Sequence, residues 1–454
     1  MGIKRRTILK GGAAGLAAAA LPGCKEDPLA DTGLREAGID HVIVLMMENR
    51  SFDHYLGALK LEEGRDCEGL TGSESNPDAE GTQHAVFHLD EQCQEDPPHG
   101  WSSSHDQFNG GANDGFVLEH EERTAEQRTW VMGYYNRDDL PIHYALADGY
   151  CLPDQFYCSV MGPTWPNRLY GHSGTSDGEK GNDTGAAPFT MRTVYQALDE
   201  AGLDWRYYYT DVPFLGLFAD HWDAARIGFV EEFLSDCERG DLPAFTWVDP
   251  GFAYNDDHPP HHVGLGQMFI GLVVEALARS PLWERCLLVI TYDEHGGFHD
   301  HEPPPTTDDD RVDEGFDQLG FRVPALVVGP WVKTGTVSTT FDNTSVLKYV
   351  CERFGLEPWT ARIAAANSIG DCLDAERMES RVPLDPPLLP SFDVPEDSVG
   401  PACDNDLRRD GYLSGQPELE LFVRQTMPQT DRCSEIPEIH ARLLAQARAW
   451  GIAT

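Results

Sequence analysis

Continuous apolar runs alternate along this chain with amphipathic stretches. Residues 41–47 run apolar from Val42 onward, the pattern of a strand buried on both faces. Similar runs recur at 205–209, 244–248, 287–292 and 323–328. Between several of them lie segments of helical period, at 193–201, 263–278 and 344–354. Residues 138–156 read as a helix leading into a strand, and 437–450 as a final helix. Strands alternating with helices predict an α/β fold around a mainly parallel sheet flanked by helices. Residues 60–115 are rich in Gly, Asn, Asp and Ser with little period. An irregular stretch of that length inside a domain is usually functional, here read as a substrate-site insertion. Residues 375–432 are Pro- and Asp-rich and read as a long wrapping segment.

The N-terminus departs from this pattern. Lys4 to Lys10 form a basic start with paired Arg5 and Arg6, followed by a short Ala/Gly-rich apolar run to Leu21. The run is too short to span a bilayer, and the arginine pair resembles a twin-arginine export signal. Leu21-Pro22-Gly23-Cys24 resembles a lipoprotein cleavage box, with Pro22 as its departure, and makes Cys24 a candidate lipid anchor. The expected location is therefore outside the cytoplasm, periplasmic or at the cell surface. Eleven cysteines, ten without Cys24, permit disulfides in an exported chain. None shows a zinc-thiolate spacing, so they read as structural.

Charge narrows the partners. The 34 Lys and Arg stand against 76 Asp and Glu, a formal net charge of −42. That balance repels phosphate backbones and argues against nucleic-acid binding. It reads mainly as a solubilising surface, although carboxylate clusters also hold cations.

Two apolar strands end in carboxylates. One runs into Glu48-Asn49 and another into Asp293-Glu294. Ligands in open α/β sheets sit beyond the carboxyl ends of the strands, so neighbouring strands would bring Glu48, Asp293 and Glu294 together. A single acidic strand end is commonly a solvated loop residue; two, with three carboxylates and an Asn, exceed coincidence. Such a group needs a cation. Oxygen ligands favour a hard divalent ion such as calcium, and nearby histidines widen the choice to zinc or iron.

A hydroxyl nucleophile is available in Gly162-Pro163-Thr164-Trp165-Pro166-Asn167-Arg168, a sharp turn into a helix start. Free amides and the dipole at such an end favour an anion, although a Thr there is more commonly an N-cap. Gly171-His172-Ser173-Gly174-Thr175 lacks the final Gly of a nucleophile elbow, which sets a serine hydrolase aside. Histidines in Pro/Asp-flanked loops complete the candidates: His99 and His105, His258 and His261, His299 and His301.

At these residues the chain resembles the phosphoesterase family of bacterial phospholipases C, acid phosphatases and plant non-specific phospholipases C. The resemblance rests on Glu48-Asn49-Arg50-Ser51-Phe52-Asp53-His54, Pro166 to Tyr170, Ser173 to Ser176, Asp256-Asp257-His258-Pro259 and Thr291 to Phe298, in family order over about residues 40–340. It implies an alkaline-phosphatase-like α/β sandwich and a nucleophilic Thr164. It implies one divalent metal held by Glu48, Thr164, Asp293 and Glu294, and contact of Asn49, His99, His258 and His261 with phosphoryl oxygens. This chain has His262 where some relatives carry Asp, and it lacks the long C-terminal extension of the larger bacterial enzymes. The domain reading that follows is an export signal at 1–23, a tether at 24–38, a catalytic domain at 39–374, and a wrapping segment with helix at 375–454 in the same domain.

The expected reaction is phosphate-ester hydrolysis by two displacements through a phosphothreonine. A phospholipase C-like diesterase, with phospholipid as its candidate partner, leads over an acid phosphomonoesterase using the same site. A non-catalytic lipoprotein that binds phosphorylated ligands would be expected to have lost Thr164 or a metal carboxylate, and neither is missing.

Overall fold

The computed structural model describes residues 38–120, 127–218, 223–394 and 416–454. The expected signal and lipid-anchor segment lies outside the described residues. One mixed eight-stranded sheet organises the molecule. Its strands are β1 (His41–Met47), β2 (Cys151–Pro153), β3 (Trp205–Tyr209), β4 (Ile227–Phe229), β5 (Phe245–Val248), β6 (Cys286–Tyr292), β7 (Ala325–Val328) and β8 (Gly335–Val337). They lie in the order β8-β2-β7-β6-β1-β5-β3-β4.

The sheet is parallel from β6 through β1, β5 and β3 to β4. It turns antiparallel at β7, between β6 and β2. The apolar runs read from sequence are its central strands. Every residue of β6 is buried, as are Val42 to Met47 of β1. Parallel strands covered on both faces require this, since no polar side chain has a solvent side to take.

The helices used below are α1 (Trp101–Phe108), α2 (Pro141–Gly149), α3 (Thr164–Ser173), α4 (Val194–Glu200), α5 (Val230–Arg239), α6 (Val263–Arg279), α7 (Thr344–Phe354), α8 (Pro417–Thr426) and α9 (Ile436–Trp450). The capping box at Thr193 and Gln196 starts α4 by satisfying free amides reciprocally. Helix α6 is apolar almost all round and lies between α5 and α9. The irregular 60–115 stretch carries helix α1 and short strands. The segment read as wrapping carries helix α8, whose start at Pro417 uses a residue that needs no amide partner. The expected α/β architecture is the one observed, a mostly parallel sheet flanked by helices.

Cysteine chemistry divides. Cys93 is disulfide-bonded. Cys67, Cys151, Cys158, Cys237, Cys286, Cys351, Cys372 and Cys433 carry free, buried thiols. No helix among the described residues is long and apolar enough to cross a membrane.

Candidate active site

Strand register assembles the site. Met47 pairs with Tyr292 across β1 and β6, so the residues that follow, Glu48 and Asp293, leave the sheet side by side. The backbone then crosses between strand ends. Asp293 N donates to Met47 O (3.1 Å), Glu48 N to Asp256 O (2.9 Å) and Arg50 N to Glu294 O (3.0 Å). Asn49 sits at φ +70°, a left-handed position that Asn tolerates better than most residues. Its amide N donates to Asp293 Oδ1 (3.2 Å) and its Nδ2 to Glu294 Oε1 (2.8 Å). Gly296, at φ +67°, permits this approach. A Cβ there would stand 2.2 Å from both Asn49 O and Asn49 Oδ1. Gly296→Ala should therefore displace Asn49 and cost about 2 kcal/mol or more, measured by denaturant unfolding.

Thr164 is the first residue of α3, wholly buried at the same end of the sheet. Pro163 is its N-cap, so the Thr164 hydroxyl is not the cap. Its Oγ1 accepts from Gln416 Nε2 (3.0 Å), and the same nitrogen donates to Glu48 Oε1 (2.8 Å). Asn167 pins the preceding turn. Its Oδ1 accepts from Val160 N (3.0 Å), and its Nδ2 donates to Gly162 O (2.9 Å) and Pro163 O (3.1 Å). One turn along α3, Arg168 pairs with Asp293 Oδ2 (2.8 Å) and Asp249 Oδ1 (2.9 Å). The Ser173 of the elbow-like sequence lies in the last turn of α3, away from its anion-favouring end.

Two loops bring the histidines. His99 Nε2 lies 3.3 Å from Asn49 Nδ2 and 3.9 Å from Glu294 Oε1, and its Nδ1 lies 3.3 Å from Asp96 Oδ1. The ring centroids of His99 and His258 are 5.7 Å apart. His261 Nδ1 bonds Asp256 Oδ1 (2.6 Å). The second loop is held by Asp256 Oδ1, which also accepts from His258 N (3.0 Å). His262, the departure from some relatives, accepts from Gly264 N (3.0 Å) as the N-cap of α6.

Burial sets the protonation pattern. It pushes the Glu48 carboxyl well above its ordinary range, and the adjacent Asp256 adds to this. Asp256 is pushed up to about 8, chiefly by burial. Asp293 is raised by burial against the pull of Arg168. For Glu294 burial is outweighed by His99 and His295, which hold it below the ordinary value. Burial likewise loses at His99, which Asp96 and Glu294 raise to about 9. At His258 burial prevails and lowers it to about 4. The two neighbouring imidazoles are thus pushed in opposite directions, His99 toward its protonated form and His258 toward its neutral one.

A cation fits this donor set. Glu48 Oε2, Asn49 Oδ1 and Asp256 Oδ2 are buried acceptors without a hydrogen-bond donor. Asp256 raises the need of Glu48 for a proton or a metal, and burial raises that of Asp256. Ligand atoms of Asp96, His99 and His258 also lie within 4.8 Å of one another, but an imidazole held toward its protonated form, as His99 is, makes a poor ligand. Glu48, Asp293 and Glu294 do not form so close a group, and Asp293 pairs with Arg168.

A model of the phosphoesterase family matches residues 39–357. The chain belongs to the phosphoesterase family. Phospholipase C B of Mycobacterium tuberculosis is 34% identical to it over 384 residues, 70% of this chain and 74% of that protein. Non-specific phospholipase C1 of Arabidopsis thaliana is 34% identical over 361 residues, 70% and 67% of the two chains. Among solved structures, a phosphonate monoester hydrolase of Agrobacterium radiobacter aligns with a TM-score of 0.35 at 10% identity, over 74% of this chain and 77% of that one. The protein is accordingly a phosphoric ester hydrolase, and phosphate esters are its substrate class.

Several candidates of this phosphoesterase stand apart from that centre. His299 and His301 follow β6, but His299 packs edge-on against Phe116. His301 joins a salt-bridge network with Asp53 (2.6 Å), while Arg322 pairs with Asp53 (3.0 Å) and Asp300 (2.9 Å). Although Asp53, Asp300 and His301 could geometrically hold an ion, Arg322 already supplies their counter-charge. His105 bonds Trp101 O within α1 (2.7 Å). A cavity of about 360 Å³ lies elsewhere, at the β3–β4 edge, where its arginines are paired with Asp236 and Asp199.

The His301 network makes a pH prediction. Burial opposes its charge, but Asp53 wins and raises His301 to about 9. A histidine raised above its unfolded value of about 6.5 contributes stability fully below that pH and loses it as pH rises through 9. His301→Gln should therefore flatten the decline in unfolding free energy between pH 7 and 10 by about 1–3 kcal/mol relative to wild type.

Sequence reasoning passed over four contributors. Asp96, Asp256 and Arg168 stand inside segments it singled out, where the flanking histidines and hydroxyl drew the attention. Gln416 carried no signal in the sequence.

Proposed function

We propose that the protein is an exported phospholipase C-like phosphodiesterase in which Thr164 is the nucleophile. The observation that carries this reading is the buried Thr164 hydroxyl at the start of α3, joined through one amide nitrogen to Glu48 at the end of the central strand. The relatives named phospholipases C support the choice of a diester.

In the first displacement Thr164 Oγ bonds to phosphorus, the P–O bond to the leaving alcohol breaks, and the hydroxyl gives up one proton for the one that the leaving oxygen takes up. His99, held toward its protonated form by Asp96 and Glu294, is the proton donor of the set. Asn49 Nδ2, His258 and His261 face the phosphoryl oxygens. Glu48, Thr164, Asp293 and Glu294 would hold the divalent cation, with Asn49 Oδ1 and Asp256 Oδ2 as further oxygen donors. When bound, the cation supplies charge withdrawal from the phosphoryl group and favours the ionised hydroxyl. Water then releases the phosphoryl product from Thr164.

Parallel assays on a monoester, a soluble diester and phosphatidylcholine test the substrate. Hydrolysis of both diesters above the monoester is expected, and a preference for the monoester would make the enzyme a phosphatase. Glu48→Ala, Asp293→Ala and Glu294→Ala should each lower metal content and activity together. Less than about one ion per chain in active wild-type enzyme would refute the cation.

Export follows from Arg5-Arg6 and anchoring from Cys24 in the same proposal. Replacing the arginine pair by Lys-Lys should strand unprocessed chain in the cytoplasm. A mature N-terminus without an acylated Cys24, read by mass spectrometry, would leave the enzyme free of a lipid anchor.

A further inference from the structure

Gln416 enters the catalytic centre from outside the segment that the family model matches, which ends at residue 357. It precedes α8 in the C-terminal part of the chain and is only 2% exposed. Its carboxamide is oriented by a relay that begins at a group of fixed polarity. The backbone N of Trp165 can only donate, and it donates to Asn182 Oδ1 (2.9 Å). Asn182 must then turn its Nδ2 to Gln416 Oε1 (3.3 Å). That leaves Gln416 Nε2 facing Thr164 Oγ1 (3.0 Å) and Glu48 Oε1 (2.8 Å). The assignment of nitrogen and oxygen, which geometry at a single amide leaves open, is fixed here by the chain of donors.

From this arrangement we infer that Gln416 is a catalytic residue, the donor that stabilises the Thr164 oxygen as it leaves phosphorus. The inference rests on Thr164 being the nucleophile. In the second displacement the oxygen of water bonds to phosphorus and the P–Oγ bond breaks. The electron pair of that bond passes to Thr164 Oγ, which ends as a hydroxyl carrying a proton from the water. The amide of Gln416 gives up no proton. Its N–H points at the oxygen where negative charge develops, already oriented by Asn182 and buried from water. A donor so preorganised stabilises the transition state without reorganising. In the first displacement the same contact acts on an oxygen that is losing charge to phosphorus, so the contribution falls mainly on release.

The test is pre-steady-state kinetics of the purified full chain on p-nitrophenyl phosphorylcholine, with mass spectrometry of the Thr164 peptide after acid quench. Gln416→Met keeps the bulk and removes the donor. Its kcat should fall about 10- to 100-fold, with a smaller fall in kcat/KM. A burst of about one p-nitrophenolate per site should appear, with the phosphorylcholine ester of Thr164 above the wild-type level. A loss of fold would lower burst and steady state together. Asn182→Leu, which frees the Gln416 amide to turn, provides a second variant and should shift both readouts in the same direction. Unchanged kcat in Gln416→Met, or equal losses of kcat and kcat/KM with no rise in the phosphorylcholine ester of Thr164 in either variant, overturns the role of Gln416. In that case an inactive Thr164→Ala enzyme leaves the nucleophile standing. Full activity in Thr164→Ala removes the nucleophile and this inference with it.

Discussion

Thr164→Ala is expected to lower kcat by about four orders of magnitude or more, because the residue supplies the atom that bonds to phosphorus. The fold should survive. Alanine is a good first residue for a helix, and α3 keeps its N-cap at Pro163, its Asn167 clamp and its Gly174 C-cap at φ +73°. Gln416 Nε2 retains Glu48 as an acceptor when the hydroxyl is gone. Thermal unfolding near that of wild type, together with lost turnover, is the expected pair of results. Thr164→Ser should retain activity within about a hundredfold of wild type, since the oxygen remains and only a methyl contact is lost. Activity of Thr164→Ala within tenfold of wild type would reject the nucleophile.

The central strands and several helices were legible because their burial leaves no choice of residue. A strand covered on both faces must be mostly apolar, and 42–47 and 287–290 are apolar throughout. The helices near 194, 263, 344 and 436 were legible through their periodic apolar faces. The pairing of Glu48 with Asp293 was legible only conditionally. Two carboxylates at strand ends become one site only when the strands are neighbours, and adjacency is a property of topology. Histidines were harder to sort. His99 and His301 both lie in acid-flanked loops, but one faces Asn49 and Glu294 while the other faces Asp53. That difference comes from side-chain direction, which composition does not encode. Gln416 was illegible altogether. It lies 252 positions from Thr164 in a Pro- and Asp-rich stretch, and a glutamine announces no chemistry until something is found opposite it.

Arg168→Met should have the largest effect on stability. The guanidinium lies between Asp293 Oδ2 (2.8 Å) and Asp249 Oδ1 (2.9 Å), and all three side chains are fully buried. It also donates to the carbonyls of Met46 and Met47 at 3.3 Å, tying the start of α3 to the end of β1. Methionine matches the length of the aliphatic stem but leaves two carboxylates without a counter-charge, beside a Glu48 and an Asp256 already raised by burial. Breaking a buried pair by removing one partner costs about 3–5 kcal/mol. The cost should depend on pH with a defined sign. Burial already raises Asp249 and Asp293 against the pull of Arg168, so removing the arginine raises both further. A carboxyl raised above its unfolded value binds more protons in the folded state, so stability falls as pH rises through the interval between the two values. Arg168→Met should therefore lose more unfolding free energy than wild type between pH 5 and pH 8, measured by denaturant titration in the presence of a chelator. Arg168→Lys should recover part of the stability, because it restores the charge without the fork that reaches both carboxylates. Equal pH dependence in Arg168→Met and wild type would mean that Asp249 and Asp293 are neutral in the folded protein with the arginine present, and that Arg168 serves the backbone of Met46 and Met47 alone.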